Sequence, residues 1–389
     1  MHASSNKKMR SNKLNVIINL FVILPALSFA IACSKVNFSK TDPAGCVNVD
    51  NKCKFDYIIY GSGGMVDILF VDDNSGSMSF EQKNMGSHFP DLLKKLDERM
   101  LDYHIAITTT DISNNDNSPR DINLNGALQD GKLIEFQSGM KFLIPNTPDK
   151  ETLFANTMKR DETIKCDKFI QNAIANNVDT KSTQYQIDYY KNCPSGDERG
   201  VFAALKAIYN NESQFIRPKA HLAIVFLTDE DNRSFGNTKK GTPYALEKGD
   251  LPQTLIDFVD KKYASTEKTL QVHSVVVPTG DTACLNQQNN QLSLIKGNEG
   301  TNYEQFSDLT KGYKGSVCET NWGEQMGRIG AAIVKQVKTF KLHCASPQNL
   351  EVKFSPSSAE SSYSMDGDTI VFGRPLDPSA QVHFTYTCL

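Results

Sequence analysis

VDILFVDDNSGSMSFEQ, residues 66–82, joins an apolar run to a cluster of small oxygen-bearing side chains. Val66, Ile68, Leu69, Phe70 and Val71 have only Asp67 among them, the near-continuous apolarity of a strand buried on both faces. Asp72, Asp73, Asn74, Ser75, Gly76 and Ser77 follow at once. Asp73, Ser75 and Ser77 alternate, which is a ligand spacing. Beyond them Met85, Phe89, Leu92, Leu93, Leu96 and Met100 form a helical stripe, with Ser79 and Gln82 spaced as a capping box and Pro90 expected to break or kink it.

The same alternation continues outward. YHIAITTT (103–110), HLAIVFLT (221–228) and LQVHSVVV (270–277) read as further buried strands. Val201, Leu205 and Ile208, then Leu251, Leu255 and Val259, then Met326, Ile329, Ile333 and Val337 read as amphipathic helices. Apolar strands alternating with such helices predict an α/β domain over 64–340, a mostly parallel sheet covered on both faces. Its connections are long at 111–195, 229–250 and 279–320. After Phe340 the runs LEVKF, TIVF and QVHFTYT predict a small β module over 341–389, closed by Cys344 and Cys388. Such a module is marginal alone, and a disulfide over so long a loop contributes about 3–4 kcal/mol in the chain-entropy model.

The 389 residues carry a formal charge of −3, which gives no electrostatic case for nucleic acid. The first 32 residues hold Lys7, Lys8, Arg10 and Lys13 and no acid, ahead of an apolar stretch that ends at Cys33. This layout predicts a signal peptide over 1–32. Ala30-Ile31-Ala32-Cys33 resembles the lipobox of bacterial lipoproteins, with Ala30 where Leu is usual. The resemblance implies an acylated Cys33, and Ser34 after it fits outer-membrane sorting in a Gram-negative cell. A cleaved soluble export signal and an uncleaved N-terminal anchor are the plainer alternatives. Residues 33–63, rich in Ser, Lys, Asn and Asp, predict a tether in which FDYIIY is a short edge strand. The eight further cysteines imply disulfides in an oxidising compartment. Pairing neighbours gives Cys46–Cys53, Cys166–Cys193, Cys284–Cys318 and Cys344–Cys388.

Two motifs together carry a family resemblance. FVDDNSGSM (70–78) and FLTDEDN (226–232) each place small oxygen ligands at a strand end. They resemble the metal-ion-dependent adhesion site of von Willebrand factor type A domains, whose fold is a doubly wound, Rossmann-like sheet. The resemblance implies that Ser75 and Ser77 bind a cation directly, while Asp73 and Asp229 act largely through water. Hydroxyl and carboxylate oxygens are hard ligands suited to Mg²⁺, with Ca²⁺ or Mn²⁺ as alternatives. Neutral hydroxyls leave the ion electrophilic, so a partner's acidic side chain completes its shell.

One family ligand is missing. Family members place a Thr ahead of the middle helix, where CPSGDERGVFAALKAI (193–208) has Asp197, Glu198 and Arg199. Glu198 is the candidate replacement, and its added charge would weaken the ion's pull on an acidic partner. A plainer reading has Asp197 or Glu198 serving the helix N-terminus. Glu230 stands where the family often has Gly, and Asp231 reads as a solvated acid. His104, His221 and His273 lie in strands and read as structural.

The long connections leave the edge that carries the motifs, two of them with a proposed disulfide, so they build a ligand face around the ion. Residues 155–193 are expected to hold short helices. Helices return the chain to the opposite edge, where tether and β module attach. The sequence therefore predicts a lipid-anchored, extracytoplasmic, non-enzymatic binding protein that presents a divalent cation to a protein partner and meets the membrane only through its anchor. Two other readings stand beside it: a structural envelope protein with a degenerate site, and a metal-dependent hydrolase using Asp73, Asp229 and Glu198, for which no general base is evident.

Overall fold

A computed structural model of the chain describes residues 47–49, 52–61, 64–99, 101–112, 129–137, 139–194, 198–233, 245–266, 268–291, 297–344, 346–377 and 379–388. The expected signal peptide, Cys33, Cys46 and Asp197 lie outside the described residues. The chain runs β1 (Val47–Val49), β2 (Lys52–Tyr60), β3 (Met65–Asp72), α1 (Ser79–Asp97), β4 (Asp102–Thr109), α2 (Lys150–Met158), α3 (Asp161–Ala175), α4 (Thr183–Asn192), α5 (Gly200–Asn210), β5 (His221–Leu227), α6 (Pro252–Lys262), β6 (Leu270–Val276), α7 (Thr282–Gln291), α8 (Thr301–Leu309), β7 (Lys314–Ser316), α9 (Trp322–Val337), β8 (Thr339–Lys341), β9 (Gln348–Ser355), β10 (Tyr363–Asp366), β11 (Thr369–Phe372) and β12 (Gln381–Cys388).

The apolar runs pair as a five-stranded parallel sheet in the order β4-β3-β5-β6-β7. From β3 the chain moves to β4 on one side, then crosses to β5 on the other. The C-terminal ends of β3 and β5 are therefore neighbours whose onward connections part, and such a switch point opens a crevice at the sheet edge. Register fixes the detail: Asp72 lies opposite Leu227, and Asp73 N donates to Leu227 O at 2.9 Å. The loops carrying the two motifs thus start side by side.

Helices cover both faces. Phe70, Met85, Phe89, Leu92, Met326, Ile329 and Ile333 join β3, α1 and α9 in one buried cluster. Leu69, Val71, Val201, Ala204, Leu255, Val259 and Phe306 join β3, α5, α6 and α8 in a second. Pro90 does not end α1, which continues to Asp97. Packing of α1 against α2 and α9 outweighs the helix bond that proline removes, a loss of about 3 kcal/mol. Phe154 of α2 is fully buried in the first cluster, so the 111–195 connection contributes to the core.

Lys52–Tyr60 departs from the expected tether. β2 pairs with β1 on one side and along its whole length with β12 on the other, in the order β1-β2-β12-β9. Phe55 and Ile59 turn into the module core with Val382, Phe384 and Tyr386, and this burial recruits the segment. A second sheet, β10-β11-β8, contributes Ile370 and Phe372 to the same core. The module meets the starts of the parallel strands: Ile58, Ile59, Phe340 and Phe372 line a 300 Å³ cavity with His221 and Thr269. It therefore sits at the sheet edge opposite the motif loops.

Three expected disulfides form, Cys166–Cys193, Cys284–Cys318 and Cys344–Cys388. Cys53 is disulfide-bonded as well, and its expected partner, Cys46, is outside the described residues. Among the described residues no helix is long and apolar enough to cross a membrane.

The strand histidines are structural. His273 is fully buried, accepts from Tyr313 N at 3.0 Å, and burial lowers its pKa to about 3. A base whose folded pKa is depressed adds stability that is complete above about pH 6.5, its ordinary value, and is lost as pH falls toward about 3. Unfolding free energies at pH 7 and pH 4.5 should differ less in His273→Gln than in wild type, by about 1.4 kcal/mol per pH unit below 6.5. Equal slopes would show that His273 does not titrate as its burial requires.

Candidate cation site at the strand switch point

The loop after β3 is organised by Asp73. Its Oδ1 accepts from Ser75 N at 2.8 Å and its Oδ2 from the Thr228 hydroxyl at 2.7 Å, so one carboxylate ties the two motif loops together. The Ser77 hydroxyl donates to Asp229 Oδ1 at 3.1 Å across 152 residues of sequence. That uses the one Ser77 proton, so Ser75 Oγ, 3.0 Å away, is the donor to Ser77 Oγ. Ser75, Ser77 and Asp229 thus converge in a recess where the serines keep only 6% and 5% of their surface and Asp229 1%.

The electrostatics are lopsided. Burial first, then the charges of Asp73 and Glu81, push the Asp229 carboxyl well above its ordinary range, and the Ser77 hydrogen bond draws it back only in part. Burial also raises Asp73 against the hydrogen bonds from Ser75 and Thr228. Asp229 Oδ2 is buried and has no hydrogen-bond partner among the described residues. An orphaned carboxylate oxygen beside two hydroxyls, in a pocket with surplus negative charge, fits a hard divalent cation. Asp73, with both oxygens engaged, fits a residue that orients the shell. Among the described residues no group of three or more His, Cys, Asp or Glu side chains comes together as a metal site. A cation here would therefore need the serine hydroxyls as donors.

Glu198 is buried one residue before Arg199, the N-cap of α5, and its carbonyl accepts from Arg233 N at 2.7 Å. Arg199 N in turn donates to Thr110 O, which seats this loop beside the end of β4. The structure places Glu198 on the motif edge and shows no bond from its carboxylate to Ser75, Ser77 or Asp229. Asp231 is not a solvated acid: it accepts from Asn302 N at 2.9 Å and Asn302 Nδ2 at 2.7 Å, and burial, its leading cause, raises its pKa to about 6.

Several working residues carried no sequence signal. Gln82 does not complete a capping box; α1 begins after Met78 with no side-chain cap. Its Nε2 instead lies 3.0 Å from Asp72 Oδ2, 3.0 Å from Asp73 O and 3.1 Å from Thr163 Oγ1, because the first motif loop passes over the helix end with its carbonyls unsatisfied. Arg199 and Arg233, both 1% exposed, share the buried Asp250 and the more exposed Glu247. Burying two guanidiniums demands such acceptors, yet the spacing of these four residues along the chain announces nothing.

No family model matches the chain, and no curated protein matches it. Similar solved structures are those of bacterial pilus adhesins. SpaC from Lactobacillus rhamnosus GG, in an open conformation, is 12% identical with a TM-score of 0.33 over 90% of this chain and 45% of its own. RrgA from Streptococcus pneumoniae is 8% identical with a TM-score of 0.28 over 88% of this chain and 60% of its own. The tip protein Mfa5 of type V pili from Porphyromonas gingivalis is 11% identical with a TM-score of 0.23 over 90% of this chain and 66% of its own. The chain spans less than two thirds of the length of each.

Proposed function

We propose that this chain is an exported adhesion protein of the von Willebrand factor type A kind, which holds a divalent cation between Ser75, Ser77 and Asp229 and presents it to a protein partner. The observation that carries the reading is the 3.1 Å contact of Ser77 with Asp229 beside the orphaned Asp229 Oδ2, at the switch point of the sheet. Asp73 and Thr228 orient the donors, and Glu198 is the candidate for the position where the family has Thr. Ser75 and Ser77 are neutral donors that leave the ion electrophilic, so an acidic side chain is the expected partner group. The β module at the opposite edge suits attachment through a lipid on Cys33, with the ion facing away from the membrane.

Calorimetric titration of Mg²⁺ into wild type and Asp73→Ala tests the reading. Wild type should bind with a measurable heat, and free ion at about 100 times the dissociation constant should stabilise it by about 2.7 kcal/mol. Loss of an orienting carboxylate typically weakens metal binding by about 10–100-fold, which is the expected deficit of Asp73→Ala. Absence of heat from wild type with Mg²⁺, Mn²⁺ and Ca²⁺ would leave the structural envelope protein, a reading favoured by the mutual hydrogen bonding of Ser75, Ser77 and Asp229.

A further inference from the structure

We infer that helix α3 of the long insertion, fixed by the Cys166–Cys193 disulfide, is a supporting wall of the cation site that positions Ser75 and Ser77; this inference rests on the cation reading proposed above. Its basis is how closely α3 lies against the motif loop. A Cβ on Gly76 would fall 2.7 Å from Cys166 Sγ, 2.9 Å from Ile170 Cδ1 and 3.3 Å from Asp167 N. Gly76 therefore lets the helix reach the loop at the residue between the two serines.

Polar contacts fix the same surface. Thr163, fully buried, donates from its hydroxyl to Asn74 O at 2.8 Å and lies 3.1 Å from Gln82 Nε2. Gln82 Nε2 is also 3.0 Å from Asp73 O, so α1 and α3 hold the carbonyls of consecutive residues just before Ser75. Arg160 N, at the start of α3, donates to Gln82 Oε1 at 3.2 Å, and Ser79 Oγ donates to Asp167 Oδ2 at 3.0 Å. α4 buries none of its residues, and Cys166, Ile170 and Cys193 form a small core of their own with Phe169, Ile174 and Tyr189.

The disulfide extends the wall to a second loop. Cys166 touches Gly76, and Cys193 stands five residues before Glu198. One covalent link thus joins the packing behind the serines to the segment that enters α5. Breaking it removes the covalent part of this support and leaves the Asn74–Ser77 turn correspondingly freer.

Mn²⁺ titrations of the full chain by calorimetry test this, comparing wild type with Thr163→Val and Cys166→Ser/Cys193→Ser. Thr163→Val keeps side-chain volume and removes the hydroxyl, so it separates positioning from folding. Both variants should bind Mn²⁺ about 10–100-fold more weakly than wild type, the usual size of an outer-shell effect. Cys344→Ser/Cys388→Ser, at the opposite edge, should bind as wild type does. Binding by Thr163→Val and Cys166→Ser/Cys193→Ser at wild-type affinity would overturn the inference, as would an equal loss in Cys344→Ser/Cys388→Ser. A wild type that binds no ion would instead overturn the cation reading, and the inference with it.

Discussion

Asp250→Ala should lower the unfolding free energy by about 3–5 kcal/mol, the range for removing one partner from a buried ion network. Asp250 is fully buried, takes Arg199 Nε at 2.9 Å and Nη2 at 3.1 Å, and lies 3.3 Å from Arg233 Nη1. It also accepts from Glu247 N at 2.8 Å, so the same carboxylate shapes the turn that ends the 229–250 connection. Without it two guanidiniums, each 1% exposed, lose their buried carboxylate and are left with Glu247, whose side chain is 45% exposed, as the acid they share. Glu247→Gln should cost no more than about 1 kcal/mol, because solvent screens and replaces that interaction. Urea unfolding of both variants measures the contrast. Equal small losses would mean that Asp250 is not the anchor. Because Arg233 N also holds Glu198 O, the first variant should loosen the approach to α5 as well.

Phe154→Ala should lose a comparable amount, about 3–5 kcal/mol, through the cavity it leaves. Its ring stacks on Phe89 at 3.7 Å between centroids and meets Phe70 edge-on at 4.9 Å, with all three rings fully buried. Phe70 belongs to the strand that delivers the candidate site and Phe89 to the helix that follows it. A residue inside the long insertion thus props the central strand. A loss below about 1 kcal/mol would show that the insertion is an appendage.

The layered fold was legible because buried parallel strands are nearly all apolar. His221–Leu227 and its neighbours therefore read as strands from composition alone, and the helices from their stripes. That Asp73, Ser75, Ser77 and Asp229 lie near one another was legible from their places at strand ends, which parallel topology brings together, while their role as ligands rests on the family resemblance. What stayed hidden depends on contacts distant in sequence. FDYIIY was legible as a short edge strand, but the pairing of Lys52–Tyr60 on both sides was not, because its partner β12 lies far away in sequence. Gln82 sits at a capping position yet serves carbonyls of the preceding loop. Thr163 and Gly76 are ordinary residues until α3 is laid against the turn, 89 residues separating Thr163 from its acceptor Asn74. The Arg199, Arg233, Glu247 and Asp250 network is likewise assembled only by folding.

In the proposed site, oxygens from the two motif loops grip one hard ion. A crystal structure of the chain grown with Mn²⁺, with data collected at the manganese edge, tests it most directly. A single anomalous peak is expected between Ser75 Oγ, Ser77 Oγ and the Asp229 carboxylate, with the serine oxygens near the roughly 2 Å typical of small hard cations. Saturating Mn²⁺ with no peak there, and Ser77 still bonded to Asp229, would contradict it.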